Sequence, residues 1–187
     1  FNSNNLKKLS KNLFFSKLKF RSILVKTHLY NFCMNKFMKL AIQEARQGIK
    51  QGHGGPFGSV IVKNNKVIGR GHNRVLKNND PTCHGEMMAI HDACKNLKTF
   101  DLKGCDIYTT GEPCIMCLGA LLWANIRTIY YGCAYKENDY IGFRDLIFNK
   151  QLKVNLKDVK KKLKQIDHKE CKKLFDDYLK IKDRKIY

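Results

Sequence analysis

Two short stretches of this chain carry residues of the type and spacing of a metal site. They are His84-Gly85-Glu86 and, 27 residues after Glu86, Pro113-Cys114-Ile115-Met116-Cys117. Two thiolates and one imidazole (Cys114, Cys117 and His84) offer Zn2+ three ligands and leave the fourth tetrahedral position open to water. The thiolate charges offset the +2 of the metal, which lowers the pKa of a bound water towards about 7. Glu86 then stands as the catalytic group, a free carboxylate that takes a proton from that water and hands it on. Two other readings use the same residues. A closed structural zinc site with Cys83 as fourth ligand leaves Glu86 without a task, and a Cys114-Cys117 redox pair leaves His84 and Glu86 unexplained.

The surrounding elements suit the first reading. Both halves of the motif fall where a loop feeds a predicted helix, over 86–97 and 115–124. The exposed N–H groups and the dipole of a helix start favour thiolate and carboxylate. Pro113 fits such a junction because it lacks a donor that would go unused there. In a regular helix, residues two apart point roughly 200° from each other. His84 and Glu86 therefore share a pocket only if the helix is just beginning there. Met38, Ala41, Ile42, Ala45 and Ile49 recur at three- and four-residue steps and predict a helix that stops at Gly52 and the Gly54-Gly55 pair. Apolar stretches at 57–62 and 66–69, joined by Asn64-Asn65, predict a hairpin. Strands follow at 106–110 and 127–133, and Cys171, Leu174, Phe175, Tyr178 and Leu179 mark a last helix. Strands alternating with helices indicate an α/β domain with a sheet covered on both faces.

Length and composition set outer bounds. With 187 residues, 43% hydrophobic and 11% aromatic, the chain has the material for one domain with a real core and is not intrinsically disordered. No apolar run reaches the roughly 18–20 residues of a membrane-spanning helix. The net charge of +20 comes mostly from lysine, 29 against 7 arginines, which fits either a coding bias or a polyanion partner. Eight cysteines include several set singly in apolar stretches, such as Cys94 and Cys133, so a reducing, cytoplasmic setting is expected. Residues 1–33 hold seven Lys or Arg and no acid. This reads as a disordered leader, either an organellar targeting segment or a mis-assigned start with Met34 opening the protein, ahead of a catalytic domain over 34–187.

His-x-Glu followed by Pro-Cys-x-x-Cys resembles the signature of the zinc-dependent cytidine deaminase superfamily. The resemblance spans nearly all of 38–187 and is dense at Gly55-Pro56-Phe57-Gly58, Gly71-His72-Asn73, Asp80-Pro81-Thr82, His84-Gly85-Glu86 and 112–120. It implies a three-layer α/β/α sandwich around a mixed sheet of about five strands. It also implies hydrolytic removal of an amino group from a purine or pyrimidine ring, and Zn2+ as cofactor. Gly54-Gly55-Pro56-Phe57-Gly58, 119–124, Gly142-Phe143-Arg144-Asp145 and a chain ending on Tyr187 look like the bacterial-type guanine deaminases. In that branch the residues matching Asn73 and Asp145 bind the base edge, the one matching Phe57 flanks the ring, and the terminal tyrosine (here Tyr187) closes the pocket. The branch forms a homodimer with exchanged C-terminal segments. Gly85 departs from the Ala that guanine and tRNA enzymes carry there and looks more like the fungal cytosine enzymes, so its backbone joins the substrate-binding candidates. Guanine is the expected small-molecule substrate, with tRNA adenosine and cytosine as alternatives and no membrane partner.

Plainer roles stand beside these. Asn73 suits a turn, Asp145 a surface or a cap, and Phe57 a core strand; Tyr187 suits a frayed end. Trp123, at helical spacing from Met116 and Ala120, reads as core, His72 and His91 as structural, and 157–164 as a solvated basic face.

Overall fold

Asn64 and Asn65 both take left-handed backbone, with φ of 48° and 62°. A two-residue type I′ hairpin requires that conformation at both positions, and Asn tolerates it. The pair joins β1 (Gly58–Lys63) to β2 (Lys66–His72) as an antiparallel hairpin. The structure is a computed structural model that describes residues 34–152 and 159–187. The leader expected over 1–33, and the start of the basic run at 157–164, lie outside the described residues.

Among the described residues one sheet is present, ordered β2-β1-β3-β4-β5, with β3 at Asp106–Gly111, β4 at Thr128–Cys133 and β5 at Leu163–Gln165. β1 pairs antiparallel with β3, while β3–β4 and β4–β5 are parallel. Seven α-helices are described: α1 (Lys36–Lys50), α2 (Val75–Asn78), α3 (Gly85–Leu97), α4 (Ile115–Trp123), α5 (Tyr135–Tyr140), α6 (Asp145–Leu152) and α7 (His168–Leu179). The Asn35 side chain caps α1 by accepting from the N–H groups of Phe37 and Met38.

Register explains the layers. Ile61, Ile107 and Ile129 face one another across β1, β3 and β4, and pack against Ala89, Ile90 and Ala93 of α3 and Leu118 and Leu121 of α4. Their neighbours Val60 and Tyr108 point to the opposite face, where Phe37 of α1 meets the Tyr108 ring at 5.1 Å. α1 and α7 cover that second face, completing an α/β/α sandwich. Burial of both faces is why β1 reads as a continuous apolar run and not as an alternation.

Two expectations fail. The basic run is only partly a solvated face: Leu163, Lys164 and Gln165 add an edge strand, pairing with Ile129, Tyr130 and Tyr131. A three-residue edge strand held by backbone bonds has no period to read, and lysine is a common edge residue. Trp123 is 86% exposed, whereas Cys117, Leu118 and Leu121 are the buried side of α4. A helix apolar nearly all round does not reveal from spacing which stripe turns inward.

Candidate active site

The chemical end of the site rests on two helix starts. His84 is the N-cap of α3, in extended backbone (φ −69°, ψ 159°), and Glu86 lies in the first turn. The helix does begin between them, so both side chains reach one pocket. Cys114 is the N-cap of α4 in the same conformation (φ −61°, ψ 169°), with Cys117 one turn further and buried. β3 ends just before that loop. Thr109, on the face of the sheet that carries Ile107, donates its hydroxyl to Glu86 Oε1 at 3.3 Å.

His84 Nδ1 lies 3.5 Å from Cys114 Sγ and 3.6 Å from Cys117 Sγ. A nitrogen and a sulfur at zinc bonding distances of about 2.0–2.1 and 2.3 Å, separated by a tetrahedral angle, stand about 3.5 Å apart. The three donors therefore fit zinc as they stand. Among the described residues they are the one such group of three, with ligand atoms within 4.8 Å of one another. Cys83 is not a fourth ligand: its sulfur is 3.3 Å from both Asn78 Nδ2 and Asp80 Oδ2. A three-donor set leaves the position that a hydrolytic zinc needs.

The electrostatics agree. Hydrogen bonds from Cys117 and from His84 overcome burial and bring the Cys114 thiol down to about 4, a thiolate ready for metal. Cys117, the donor, is pushed up in turn, by Cys114 and by burial. Although burial opposes it, His84 is raised by the hydrogen bond and charge of Cys114. Glu86 is 4% exposed, and burial followed by the Cys114 charge lifts its carboxyl to about 7. That is the range in which a carboxyl both takes and returns a proton at neutral pH.

The far end is a pocket lined by Phe57, Asn73, Glu112, Asn138, Phe143 and Asp145, together with His84, Glu86 and Cys114. Asn73, 1% exposed, has its Oδ1 engaged by the Val75 N–H (3.1 Å) and the Tyr187 hydroxyl. Its Nδ2 is left to donate. Burial raises the Asp145 carboxyl, against a 2.7 Å hydrogen bond from Asn138 Nδ2. The Phe57 ring meets Phe143 edge-on at 4.7 Å and Phe175 at 5.5 Å, so it serves core and pocket together. Tyr187 is not frayed. Its hydroxyl accepts from the Gly55 N–H at 2.9 Å, and its ring stands edge-on to Phe143 at 5.4 Å. Gly54 makes room for these contacts: a Cβ there would fall 2.1 Å from Asn73 Oδ1. Tyr187 also borders a second cavity of about 240 Å³, which shares His84, Cys114, Phe143 and Asp145 with the first.

Gly85 lines neither cavity. A Cβ there would come 2.8 Å from the Phe57 carbonyl oxygen, so its place is the close approach of α3 to the β1 entry loop. His72 is structural, buried between Glu44 (3.4 Å) and His53 (2.9 Å). Sequence reasoning passed over Thr109, Glu112 and Asn138. A polar residue inside the short helix α5 gives no periodic signal.

A sandwich of this topology, with a group able to hold a metal at two helix starts and a buried carboxylate beside it, fits a zinc-dependent hydrolytic deaminase. The family model for the cytidine and deoxycytidylate deaminase zinc-binding region matches residues 33–133, and the chain belongs to that family. It is 43% identical over 116 residues to the guanine deaminase of Bacillus subtilis, 62% of this chain and 74% of that protein. It is 34% identical over 147 residues to the tRNA-specific adenosine deaminase of Buchnera aphidicola subsp. Schizaphis graminum, 78% of this chain and 93% of that protein. The X-ray structure of the Bacillus subtilis guanine deaminase superposes with a TM-score of 0.62 at 36% identity, over 82% of this chain and 99% of that one. No helix among the described residues is long and apolar enough to cross a membrane.

Proposed function

We propose that the protein hydrolyses guanine to xanthine and ammonia. The observation that carries the choice is a pair on the pocket wall, the buried Asn73 with a free donor and the half-buried Asp145 with a carboxylate. A carboxylate there accepts from a ring N–H. Free guanine and free cytosine offer one beside an acceptor. Adenosine within a nucleic acid does not, because its ring nitrogens are acceptors or carry the ribose. Guanine is preferred over cytosine on the similarity to the Bacillus subtilis guanine deaminase.

When bound, zinc supplies an activated water at its open position. Glu86 takes a proton from the attacking water and passes it to the ring nitrogen next to the amino-bearing carbon; it then takes a second proton, from the hydroxyl now on that carbon, and delivers it to the departing amine as the carbon–nitrogen bond breaks. Thr109 holds Glu86 by one oxygen. Phe57 lies against the base, Asn73 and Asp145 set its register, and Tyr187 excludes water from the closed pocket. We infer a homodimer from the family resemblance, with the C-terminal segment that ends on Tyr187 closing a pocket.

A second reading, adenosine deamination in tRNA, draws on the +20 charge and on relatives such as the Buchnera aphidicola enzyme. In that case a flipped anticodon base would enter the pocket, with steeply salt-dependent affinity. Ammonia release by zinc-loaded protein separates the readings when guanine, cytosine and an adenosine-bearing anticodon stem-loop are run in parallel. Turnover of guanine alone is the expected result. Turnover of the stem-loop without guanine would overturn it, and turnover of cytosine alone would move the choice to the pyrimidine.

A further inference from the structure

The base pocket contains one buried polar side chain to which neither the zinc motif nor the reading above gives a task. Asn138 is 1% exposed and sits in α5, between the end of β4 and the start of α6. Its Nδ2 donates to Asp145 Oδ2 at 2.7 Å and to the Glu112 carbonyl at 3.3 Å. Both partners are acceptors, so the amide orientation is fixed by the network. Among the described residues this is the sole hydrogen-bond donor to the Asp145 carboxylate.

The other end of the same amide has no hydrogen-bond partner. Asn138 Oδ1 is buried and unpaired. It lies so near Gly111 that a Cβ on that glycine would come within 3.0 Å of it and of the Phe57 ring. A buried acceptor left unpaired is unfavourable. The nitrogen end, by contrast, is held by two acceptors. That nitrogen carries two N–H bonds, one for Glu112 and one for Asp145, and no charge. A lysine or arginine would instead form an ion pair and compete with a substrate for the carboxylate.

The backbone around it points the same way. Glu112 Oε2 accepts from the Tyr135 N–H at 3.1 Å, which ties the start of α5 to the strand end that precedes the Cys114 loop. The Asn138 carbonyl accepts from the Phe143 N–H at 3.1 Å. One residue thus fixes two walls of the pocket, the Asp145 carboxylate through its side chain and Phe143 through its backbone.

We propose that Asn138 is a positioning residue of the base pocket: anchored on the Glu112 carbonyl, its Nδ2 holds one oxygen of Asp145 so that the other is presented to a ring N–H of the substrate. The proposal rests on the reading that Asp145 binds the base edge. It assigns Asn138 no contact with zinc or with the reacting carbon.

Two readouts on full-length, zinc-loaded protein test it. The first is a substrate-free crystal structure of Asn138→Ala, or of the equal-sized Asn138→Asp if the alanine variant does not fold. The Asp145 carboxylate turns away from its present orientation if Asn138 holds it, and an unchanged orientation overturns the proposal. The second is a double-mutant cycle on guanine. Asn138→Ala alone raises KM by about 10-fold or more with kcat within about 3-fold, and in an Asp145→Ala background adds less than about 2-fold. Fully additive effects, or a loss of thermal stability with no change in KM, overturn it. If wild-type protein leaves guanine untouched, the guanine reading falls by itself, and the orientation of Asp145 in the variant crystal decides the role of Asn138.

Discussion

The two ends of this site are built differently. The chemical end comes from two contiguous motifs at the starts of α3 and α4: each helix start presents one pair, His84 with Glu86 and Cys114 with Cys117, and the packing of both helices on one sheet face brings the pairs together. The recognition end is assembled from the loop after β2, from α5 and from the start of α6, with the last residue of the chain bordering the adjoining cavity. In the function proposed above, the first end carries the reaction and the second selects what reacts. Their separation predicts that damage at one end should leave the other measurable.

The largest effect is expected from Glu86→Ala. It removes the proton carrier and leaves the three metal donors, so kcat should fall by roughly 10³-fold or more while bound zinc stays near one per chain. Metal analysis beside the kinetics checks this; loss of zinc along with activity would mean the carboxylate belongs to the metal site.

Glu86 also links the chemical end to stability. Its folded-state carboxyl, at about 7, lies above the ordinary 4.5. The stability it contributes is full below about 4.5 and is lost as pH rises through 7. Metal-free wild type should therefore lose roughly 3 kcal/mol more than metal-free Glu86→Gln between pH 4 and 8. Denaturant titrations at the two pH values give the difference, and parallel curves would show that the carboxyl is not buried as described.

At the recognition end, Asp145→Ala should cut kcat/KM for guanine about 10–100-fold, mainly through KM, as expected for loss of a hydrogen bond to a charged group. Zinc content should not change. A fall in kcat equal to that in kcat/KM would place Asp145 in the chemistry and blur the division.

Tyr187→Phe is the mildest change. It deletes the bonds to Gly55 and Asn73 but keeps the ring against Phe143, so an effect of about 1 kcal/mol, or roughly 5-fold in KM, is expected from steady-state kinetics. No effect at all would show that the ring, and not the hydroxyl, closes the pocket.

The same division explains what the sequence disclosed. The ligand set and Glu86 are legible because residue type, spacing and a helix start are all written within a few adjacent positions. The hairpin was legible because Asn64-Asn65 suits only a few backbone shapes. Asn73, Asp145, Phe57 and Tyr187 became candidates through family resemblance, since their spacing alone fits turns, caps and core. Asn138 stayed hidden because α5 has six residues and no repeating face. β5 stayed hidden because three residues carry no alternation. Trp123 misled because α4 is apolar on its outer stripe as well as its inner one. Gly85, a departure that suggested a different base, has a packing reason in the Phe57 carbonyl.

One comparison bears on the whole arrangement: turnover of guanine against guanines methylated at N1 and at N9, in wild type and in Asp145→Ala, all zinc-loaded. Wild type should deaminate guanine and discriminate strongly against at least one methylated base, and Asp145→Ala should erase that discrimination while retaining zinc. Equal discrimination in both proteins, or no xanthine from guanine, would contradict the division of labour between the motif and the pocket wall.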